Sequence, residues 1–210
     1  MEQFKNIKTL IFDFGGVLIN LDLAACIRKI NELGISNVEQ YLSNYGQAGF
    51  FLKFEKGEID IPQFRNEIRK LSTKSISDSQ IDEAWCEFLQ DIPQEKLDVV
   101  EKLRQKYRIV MLSNTNPLHI EVSAAGEFAK RGKTIHDYFD KCYLSYEMKM
   151  TKPDPEIFKT LLQQEGEAPE SFLFLDDGPK NIAAAESLGI RSILIDPREK
   201  LDFLLNISEE

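Results

Sequence analysis

Five short apolar segments recur along the chain, and each is followed directly by polar residues. The segments span residues 7–12, 107–112, 141–146, 171–175 and 191–195. Short runs rich in β-branched and aromatic residues are typical of buried strands. The polar residues that follow them are Asp13, Ser113, Asn114, Glu147, Asp176, Asp177 and Asp196. The pattern therefore predicts five strands that each end at a polar turn.

Helical patterns separate the later strands. Apolar residues recur at helical spacing within residues 94–106. Residues 155–165 begin at an Asp-Pro pair, in which Asp can cap a helix and Pro can take its first position. Residues 179–188 begin after a glycine and end at Gly189, a common residue at helix ends. Because strands alternate with helices, the sequence predicts βαβ units and a parallel sheet.

Residues 20–92 follow a different pattern. Ile, Leu and Phe recur every three or four residues among many charges, and no segment resembles a strand. The apolar positions include Leu23, Ile27, Ile30, Phe64, Ile68, Leu71, Trp85, Phe88 and Leu89. This spacing predicts amphipathic helices. We therefore expect a small helical domain after the first strand, with a return linker at residues 91–93.

Length and composition agree with this division. The chain has 210 residues, which is too short for two full-sized domains. Hydrophobic residues make up 42% and charged residues 29%, as in ordinary soluble globular proteins. The predicted fold is α/β: a Rossmann-like parallel sheet core formed by residues 1–19 and 93–210, with residues 20–92 as an inserted α-helical cap domain.

The charge and the cysteines narrow the range of partners. The net charge of -9 makes nucleic acid and anionic membranes poor partners, so we expect neither. Cys26, Cys86 and Cys142 lie far apart, which favours reduced thiols over a zinc site or a disulfide framework. We see no signal peptide and no long apolar span, which predicts a cytoplasmic location. No feature indicates an oligomeric state.

Three carboxylates are expected to meet at one edge of the sheet. Asp13, Asp176 and Asp177 all follow parallel strands, and ligands bind at the carboxyl ends of such strands. Each residue alone is as readily explained as a helix cap or a turn residue. Together they would repel one another unless a cation neutralised them. A set of oxygen ligands favours Mg²⁺, which also retains water and substrate phosphate in its shell.

The same edge offers donors for a phosphate group. Ser113 carries a hydroxyl, Asn114 has a backbone N–H, and Lys152 provides a positive charge. Gly15 and Gly16 allow the backbone to approach a ligand closely. A metal, a lysine and backbone donors around a phosphoryl group are how phosphoryl transfer is catalysed. A neighbouring carboxylate, here that of Asp13, can then attack the phosphorus.

Four short motifs in this order carry a resemblance to a known family. They are D-F-G-G-V-L, L-S-N-T-N, K-P and F-L-D-D-G-P-K-N-I-A-A-A. Their order and spacing resemble the haloacid dehalogenase (HAD) superfamily over nearly the whole chain, and the insert resembles the cap of its first subclass. Leu118-His119 and the E-K-G-E-I segment of the insert are similar to bacterial α-D-glucose-1-phosphate phosphatases. The resemblance implies a Mg²⁺-dependent phosphatase that acts on a small phosphorylated metabolite, for example a sugar phosphate such as glucose 1-phosphate.

The resemblance also implies roles for single residues. Asp13 matches the nucleophile, which also binds the metal, and Lys152 matches the lysine that steadies nucleophile and phosphate. Phosphate is expected to contact Phe14, Gly15, Ser113, Asn114 and Lys152. The metal is expected to bind Asp13, the backbone carbonyl of Gly15 and Asp177, with Asp176 as a further ligand or a supporting residue. Lys149 lies close to Lys152 but fits the motif less well.

One position departs from the family pattern. Most phosphatases of the superfamily have a second Asp two residues after the nucleophile, where it protonates the leaving oxygen and later activates water. Gly15 stands there in this chain. Its presence is compatible with a slow enzyme, with a displaced acid, with a leaving group that needs little protonation, or with no phosphatase activity. Asp22 is a possible substitute acid, although a helix-capping role is the better interpretation.

Other interpretations stay open at this point. A metal-independent 2-haloacid dehalogenase also uses an Asp nucleophile without the second Asp, but has no use for Asp176 and Asp177. A module that binds a phosphorylated ligand without catalysis has no use for Asp13. We expect His119 to pack rather than react, and His136 to be exposed. Three phenylalanines of the insert are expected to lie in the cap core: Phe50, Phe51 and Phe54.

Overall fold

A computed structural model describes residues 6–43 and 47–207 of the chain, and a five-stranded parallel sheet forms its centre. The strands are β1 (Thr9–Phe12), β2 (Arg108–Ser113), β3 (Lys141–Leu144), β4 (Phe172–Asp176) and β5 (Arg191–Leu194). They lie in the order β3-β2-β1-β4-β5, and all neighbouring pairs are parallel. The predicted α/β fold with a parallel sheet is confirmed.

The third strand ends earlier than the sequence pattern predicts. We expected it to span residues 141–146, but it stops at Leu144, and Ser145–Met148 forms a short helix. The buried Ser145 hydroxyl accepts a hydrogen bond from the Thr115 backbone N–H at 2.9 Å. This side-chain contact ties the end of the third strand to the segment that follows β2. The spacing of apolar residues carries no information on such a side-chain contact, so it could not predict where the third strand ends.

The inserted segment is helical, as predicted. It contains α1 (Leu23–Glu32), α2 (Gly49–Glu55), α3 (Ile61–Leu71) and α4 (Asp78–Cys86), with a 3₁₀ turn at Val38–Gln40. These helices enclose their own apolar cluster, to which Phe51, Phe54, Phe64 and Trp85 contribute. Phe50 packs on Phe51 with ring centroids 4.2 Å apart, so the three predicted phenylalanines belong to this cluster.

The remaining helices cover both faces of the sheet. They are α5 (Gln94–Leu103), α6 (Ala125–Ala129) with a π-helical segment before it (His119–Ala124), α7 (Ile135–Tyr138), α8 (Ser145–Met148), α9 (Pro155–Glu165) and α10 (Pro179–Glu186), with 3₁₀ turns at Pro169–Ser171 and Asp202–Asn206. Alternate strand residues enter two apolar clusters, one on each face. Leu10 and Phe12 of β1 face one cluster, and Ile11 faces the other.

Two antiparallel segments connect the helical insert to the sheet. The Asn20 N–H donates to the Asp91 carbonyl at 3.0 Å, and the Gln90 N–H donates to the Asn20 carbonyl at 2.9 Å. We propose that the chain divides into core and cap at this pair of segments, near the predicted boundaries at residues 19/20 and 92/93. Among the residues that the structure describes, no helix has the length and apolar character needed to cross a membrane.

Candidate active site

Three adjacent strands deliver the candidate site residues to one edge of the sheet. β1 lies between β2 and β4, and Phe12 pairs with both Met111 and Leu175. The Asp13 N–H continues the ladder and donates to the Leu175 carbonyl at 2.8 Å. The chain crosses from one side of β1 to the other after β3, and ligands bind at such switch points. The sheet order therefore explains why distant motifs meet.

The three aspartates form one cluster. Asp13, Asp176 and Asp177 each present a carboxylate oxygen, and these atoms all lie within 4.8 Å of one another. Asp13 and Asp176 are buried, whereas Asp177 is half-buried. Burial raises the pKa of Asp177 to about 6, with a further contribution from the charge of Asp176. The three carboxylates therefore lie close together, and their negative charges repel one another.

Lys152 is the cation within this cluster. Its Nζ lies 2.8 Å from Asp13 Oδ1 and 2.7 Å from Asp176 Oδ2, and the side chain is buried. Burial lowers the pKa of Lys152, but the two carboxylates outweigh that effect and raise it overall. Burial likewise raises the pKa of Asp13 well above its usual value, Lys152 opposes the shift, and Asp176 and Asp177 add to it. The Lys152 ammonium therefore forms ion pairs with two buried carboxylates, those of Asp13 and Asp176.

Asp176 and Asp177 differ in how their oxygens are used. Asp176 Oδ1 accepts from the Gly178 N–H at 2.7 Å and from Asn181 Nδ2 at 2.9 Å, while Oδ2 faces Lys152. Asp177 lines the cavity beside Asp13. Gly16 has a φ of +74°, and a Cβ there would lie 2.3 Å from Asp177 Oδ2. A glycine at that position lets Asp177 approach the loop that follows Asp13.

The second motif places its two polar residues differently. Ser113 is buried and lines the cavity. Asn114 also lines it, but its side chain binds the Lys152 backbone: Oδ1 accepts from the Lys152 N–H at 2.8 Å, and Nδ2 donates to the Lys152 carbonyl at 2.9 Å. The Asn114 side chain thus holds the lysine segment, which precedes a cis peptide at Pro153.

Lys149, the rejected candidate, points away from the cluster. Its Nζ donates to the Gly57 carbonyl of the cap at 2.7 Å.

Phe14 lies in the core with its ring stacked on Phe128 at 6.2 Å between centroids. The Phe14 N–H donates to Asp13 Oδ1 at 2.7 Å, so its backbone orients the carboxylate.

The cavity at this edge has a volume of about 50 Å³, is partly open, and is lined by residues of both core and cap. Its lining includes all the predicted site residues except the fully hydrogen-bonded Asp176. Other residues that line it were not predicted from the sequence: Leu21, Gln47, Glu55, Phe88, Leu89, Thr115, His119 and Asn181. The E-K-G-E-I segment, which begins at Glu55, was the sequence signal that could have indicated the cap contribution.

Glu55 is a buried carboxyl group from the cap. It is 5% exposed, and its Oε2 has no hydrogen-bond partner among the described residues. Burial raises the pKa of Glu55 to about 8, although a hydrogen bond with the Gln47 side chain and the charge of Lys152 both oppose the shift. The carboxyl group is therefore protonated at neutral pH.

The raised pKa of Glu55 predicts a specific pH dependence of stability. From about pH 4.5 to pH 8 the folded chain keeps a proton that the unfolded chain has lost, so the unfolding free energy falls as pH rises. Glu55→Gln removes this dependence. Relative to wild type, the variant should gain on the order of 3 kcal/mol between pH 5 and pH 8. Denaturant unfolding with EDTA measures this, and Glu58→Gln, an exposed neighbour, is the control.

His119 is a packing residue at the junction of cap and core, as expected. Its ring stacks on Trp85 with centroids 4.8 Å apart, and Nε2 lies 3.2 Å from the Trp85 carbonyl oxygen. Burial lowers the pKa of His119 to about 4, which makes the ring neutral at pH 7. His136 is exposed, and the Asp22 side chain caps α1 by accepting from the Ala25 N–H at 2.7 Å.

The donor set at the cluster fits Mg²⁺. The candidate ligands are all oxygens, and burial together with mutual repulsion raises the pKa of both Asp13 and Asp177. A divalent cation relieves that repulsion, and Mg²⁺ prefers carboxylate and carbonyl oxygens. None of the three cysteines lies in the cluster, and all three are free thiols, of which only Cys26 is fully buried.

Comparison with known proteins identifies relatives over almost the whole chain. One curated relative, the D-ribitol-5-phosphate phosphatase of Bacteroides thetaiotaomicron, is 34% identical over 204 residues, which is 95% of this chain and 99% of the relative. A solved structure of a HAD family enzyme from the same organism, an aspartate-to-alanine mutant in complex with magnesium and inorganic phosphate, has 44% identity and a TM-score of 0.91 over 95% of this chain and 98% of its own.

A second solved structure extends the likeness to another organism. The HAD-like family hydrolase from Porphyromonas gingivalis is 35% identical with a TM-score of 0.89, and covers 98% of this chain and 99% of its own. The sequence family of haloacid dehalogenase-like hydrolases matches residues 7–189. Sheet order, motifs and relatives agree, and the chain is a member of the haloacid dehalogenase-like hydrolases.

Proposed function

We propose that this hydrolase is a Mg²⁺-dependent phosphatase that forms a covalent aspartyl-phosphate on Asp13. The observation that carries the proposal is the contact between Asp13 Oδ1 and Lys152 Nζ at 2.8 Å, inside a cluster of three carboxylates. Lys152 opposes the rise in the Asp13 pKa that burial causes, and so favours the ionised carboxylate that attacks. The site thus combines a nucleophile with the positive charge that a phosphate dianion requires.

We assign the metal ligands to Asp13, Asp177 and the Gly15 carbonyl. Asp176, with both oxygens already hydrogen-bonded, supports Lys152 and the turn that carries Asp177. When bound, the Mg²⁺ ion offsets the charge of the carboxylates and of the phosphoryl oxygens.

The residues of the chain then divide the reaction between them. Asp13 Oδ2 is the free oxygen of the nucleophile, because Oδ1 accepts from Phe14 N–H and faces Lys152. Attack of this oxygen on phosphorus breaks the bond to the leaving oxygen and forms the acyl phosphate. In this proposal the Ser113 hydroxyl and the backbone N–H groups of Gly15 and Asn114 bind phosphoryl oxygens, and Lys152 compensates their charge. Water then attacks the phosphorus and restores Asp13.

We propose a small sugar or polyol phosphate as the substrate. The support is the curated relative, whose name specifies D-ribitol 5-phosphate. The cavity has room for a phosphoryl group, and residues of the cap line part of it. Glucose 1-phosphate belongs to the same class of candidates. A cytoplasmic location, and the absence of nucleic acid and membrane partners, stay predictions.

A 2-haloacid dehalogenase is the second candidate from the sequence. Solved dehalogenases resemble the chain at 18% identity with a TM-score of 0.58, a likeness that concerns the fold alone. The half-buried Asp177, which faces the cavity, argues for a metal and thus for phosphate chemistry. A module that only binds phosphate has no use for a nucleophile in contact with a lysine.

The test is hydrolysis of p-nitrophenyl phosphate with Mg²⁺ and with excess EDTA, followed by a panel that includes ribitol 5-phosphate and glucose 1-phosphate. We expect activity with Mg²⁺, its loss with EDTA and its return when Mg²⁺ is added back. Halide release from a 2-haloacid that is unaffected by EDTA would instead identify a dehalogenase. Binding of phosphate without turnover of any ester would identify a binding module.

A further inference from the structure

The proposed phosphatase lacks an acid where its superfamily usually has one. Gly15 occupies that position, and the inference below rests on the proposed function. General acid–base catalysis is worth about 10²–10⁴-fold, so an ordinary alkyl phosphate is a poor substrate without it. A substitute acid must line the cavity and carry an exchangeable proton near neutral pH.

Most of the groups that line the cavity already have another role in the proposed reaction or another partner in the fold. Asp13 is the proposed nucleophile, and Asp177 is a proposed metal ligand. Lys152 contacts two carboxylates through its ammonium. His119 is neutral, and its Nε2 faces the Trp85 carbonyl at 3.2 Å. Among the titratable groups that line the cavity in the described part of the chain, only Glu55 is left.

The structure fixes the position of Glu55 at the junction of cap and core. The residue ends α2, and its carbonyl accepts from the Ser145 hydroxyl at 2.7 Å. Ser145 also receives the Thr115 N–H at 2.9 Å, directly beside the second motif. A Cβ at Gly57 would lie 2.2 Å from the Tyr146 carbonyl oxygen, so only glycine permits this close approach. This end of the cap is therefore docked on the core next to the phosphate-binding loop.

The carboxyl group of Glu55 has hydrogen-bonding capacity that the fold does not use. It lines the same cavity as Asp13, and its Oε2 makes no hydrogen bond among the described residues. A buried polar atom without a partner costs about 1–3 kcal/mol, and such groups call for a functional explanation. Because Glu55 lines the cavity that also contains Asp13, its carboxyl group is the candidate to meet the leaving oxygen of a bound phosphate ester.

We propose that Glu55 of the cap is the general acid and base of the reaction, in place of the acid that is absent at Gly15. As the bond between phosphorus and the leaving oxygen breaks, the Glu55 carboxyl proton moves to that oxygen and releases the alcohol. The Glu55 carboxylate then takes a proton from the water that attacks the acyl phosphate. Phosphate leaves, and Asp13 is again a carboxylate and Glu55 again a carboxylic acid.

The charge environment supports this cycle. The pKa of Glu55, raised by burial to about 8, keeps the proton in place at neutral pH, and a pKa near the working pH is suited to both donation and acceptance. The titratable groups that share the cavity with it are Asp13, Lys152, Asp177 and His119. Lys152 is the one among them that opposes the shift of the Glu55 pKa.

The test compares p-nitrophenyl phosphate with phenyl phosphate on Glu55→Gln. Neither substrate has sugar hydroxyls, so hydroxyl recognition does not enter. Phenol has a pKa of about 10, as in tyrosine, and needs a proton to leave, whereas p-nitrophenol is far more acidic. We expect kcat/KM for phenyl phosphate to fall by about 10²-fold or more, and that for p-nitrophenyl phosphate to change little. A stoichiometric burst of p-nitrophenol should then precede slow turnover, because the acyl phosphate lacks its base.

Two further variants make the result specific. Glu58→Gln changes an exposed glutamate of the same segment and should behave as wild type. Gly15→Asp in the Glu55→Gln background should restore part of the rate on phenyl phosphate. The atoms nearest to a Cβ at Gly15 belong to Leu21, at 3.4 Å and beyond, and the φ of Gly15 is not in the left-handed region, so a side chain can begin there without a backbone clash.

The outcomes separate this inference from the proposed function. Equal loss of kcat/KM on both aryl phosphates, without a burst, would overturn the role of Glu55 while leaving Asp13 as the nucleophile. An unchanged rate on phenyl phosphate would overturn it as well. A wild-type protein without Mg²⁺-dependent activity on either ester would contradict the proposed function, and with it the role of Glu55.

Discussion

Asp13→Asn is expected to abolish turnover of every phosphate ester while leaving the fold intact. Asparagine retains an Oδ1 that can accept from the Phe14 N–H and from Lys152, which lie 2.7 and 2.8 Å from it in the wild type. The amide cannot attack phosphorus, so kcat on p-nitrophenyl phosphate should fall by about 10⁴-fold or more, as is typical when a nucleophile is removed. Steady-state rates measure the loss of activity, and the midpoint of thermal unfolding shows whether the fold is intact.

Asp22→Asn is the matched control for this substitution. Asp22 caps α1 outside the cavity, and asparagine is about as good a cap. Its activity and stability should therefore remain those of wild type. Activity that persists in Asp13→Asn would remove Asp13 as the nucleophile, and the acidic cluster would then be explained as a metal site alone.

Lys152→Met is expected to destabilise the protein as well as inactivate it. The ammonium serves two buried carboxylates at 2.7 and 2.8 Å, and its removal leaves them to repel each other. Breaking a buried ion pair from one side costs about 3–5 kcal/mol. The loss should be smaller at pH 5 than at pH 8, because protonation of Asp13, whose pKa is already raised, removes part of the repulsion. Added Mg²⁺ should recover part of the stability.

Lys159→Met provides the comparison for a surface lysine. Lys159 pairs with Glu156 on an exposed face of α9, and such pairs contribute about 0–1 kcal/mol. The free energy of unfolding in urea, measured for both variants with EDTA and with Mg²⁺, distinguishes the loss of a buried ion pair from the loss of a surface one. If Lys152→Met proved as stable as Lys159→Met, or if Mg²⁺ gave it no protection, the account of a lysine that balances the acidic cluster would be wrong.

Much of the core could be predicted because its signal is local. Each buried strand is a short apolar run, and the aspartates of the site follow or end such a run, as Asp13 follows Phe12. In a parallel sheet the carboxyl ends of neighbouring strands lie together, so the meeting of Asp13, Ser113 and Asp176 follows once the strands are recognised. The helical nature of the insert follows from apolar spacing in the same way.

The spacing of apolar residues could not predict which cap residues line the site, because that depends on how two parts of the chain dock. Periodicity places Glu55 on a helix but does not state which surface the helix meets. The docking rests on contacts between distant residues, such as the Ser145 hydroxyl with the Glu55 carbonyl and Lys149 Nζ with the Gly57 carbonyl. The burial and the raised pKa of Glu55 arise only after that docking.

The roles within the acidic cluster also required the structure. The sequence leaves Asp176 as either a metal ligand or a supporting residue. Its two oxygens are taken by Lys152, Gly178 and Asn181, which favours the supporting role. The backbone N–H of Asn114 is expected at the phosphate, and its side chain bonds twice to the Lys152 backbone, which the sequence did not indicate. The side-chain amide of Asn114 therefore holds the Lys152 backbone, and that of Asn181 holds the Asp176 carboxylate. In the sequence both residues look like turn residues.

The central claim is that the carboxylate of Asp13 becomes phosphorylated during turnover. The most direct measurement is acid quenching of the Glu55→Gln protein during hydrolysis of p-nitrophenyl phosphate with Mg²⁺, followed by peptide mass spectrometry. The account predicts one phosphoryl group on the peptide that contains Asp13, and none on that peptide from Asp13→Asn. A phosphoryl group on another residue, or turnover at the wild-type rate with no labelled peptide, would contradict it.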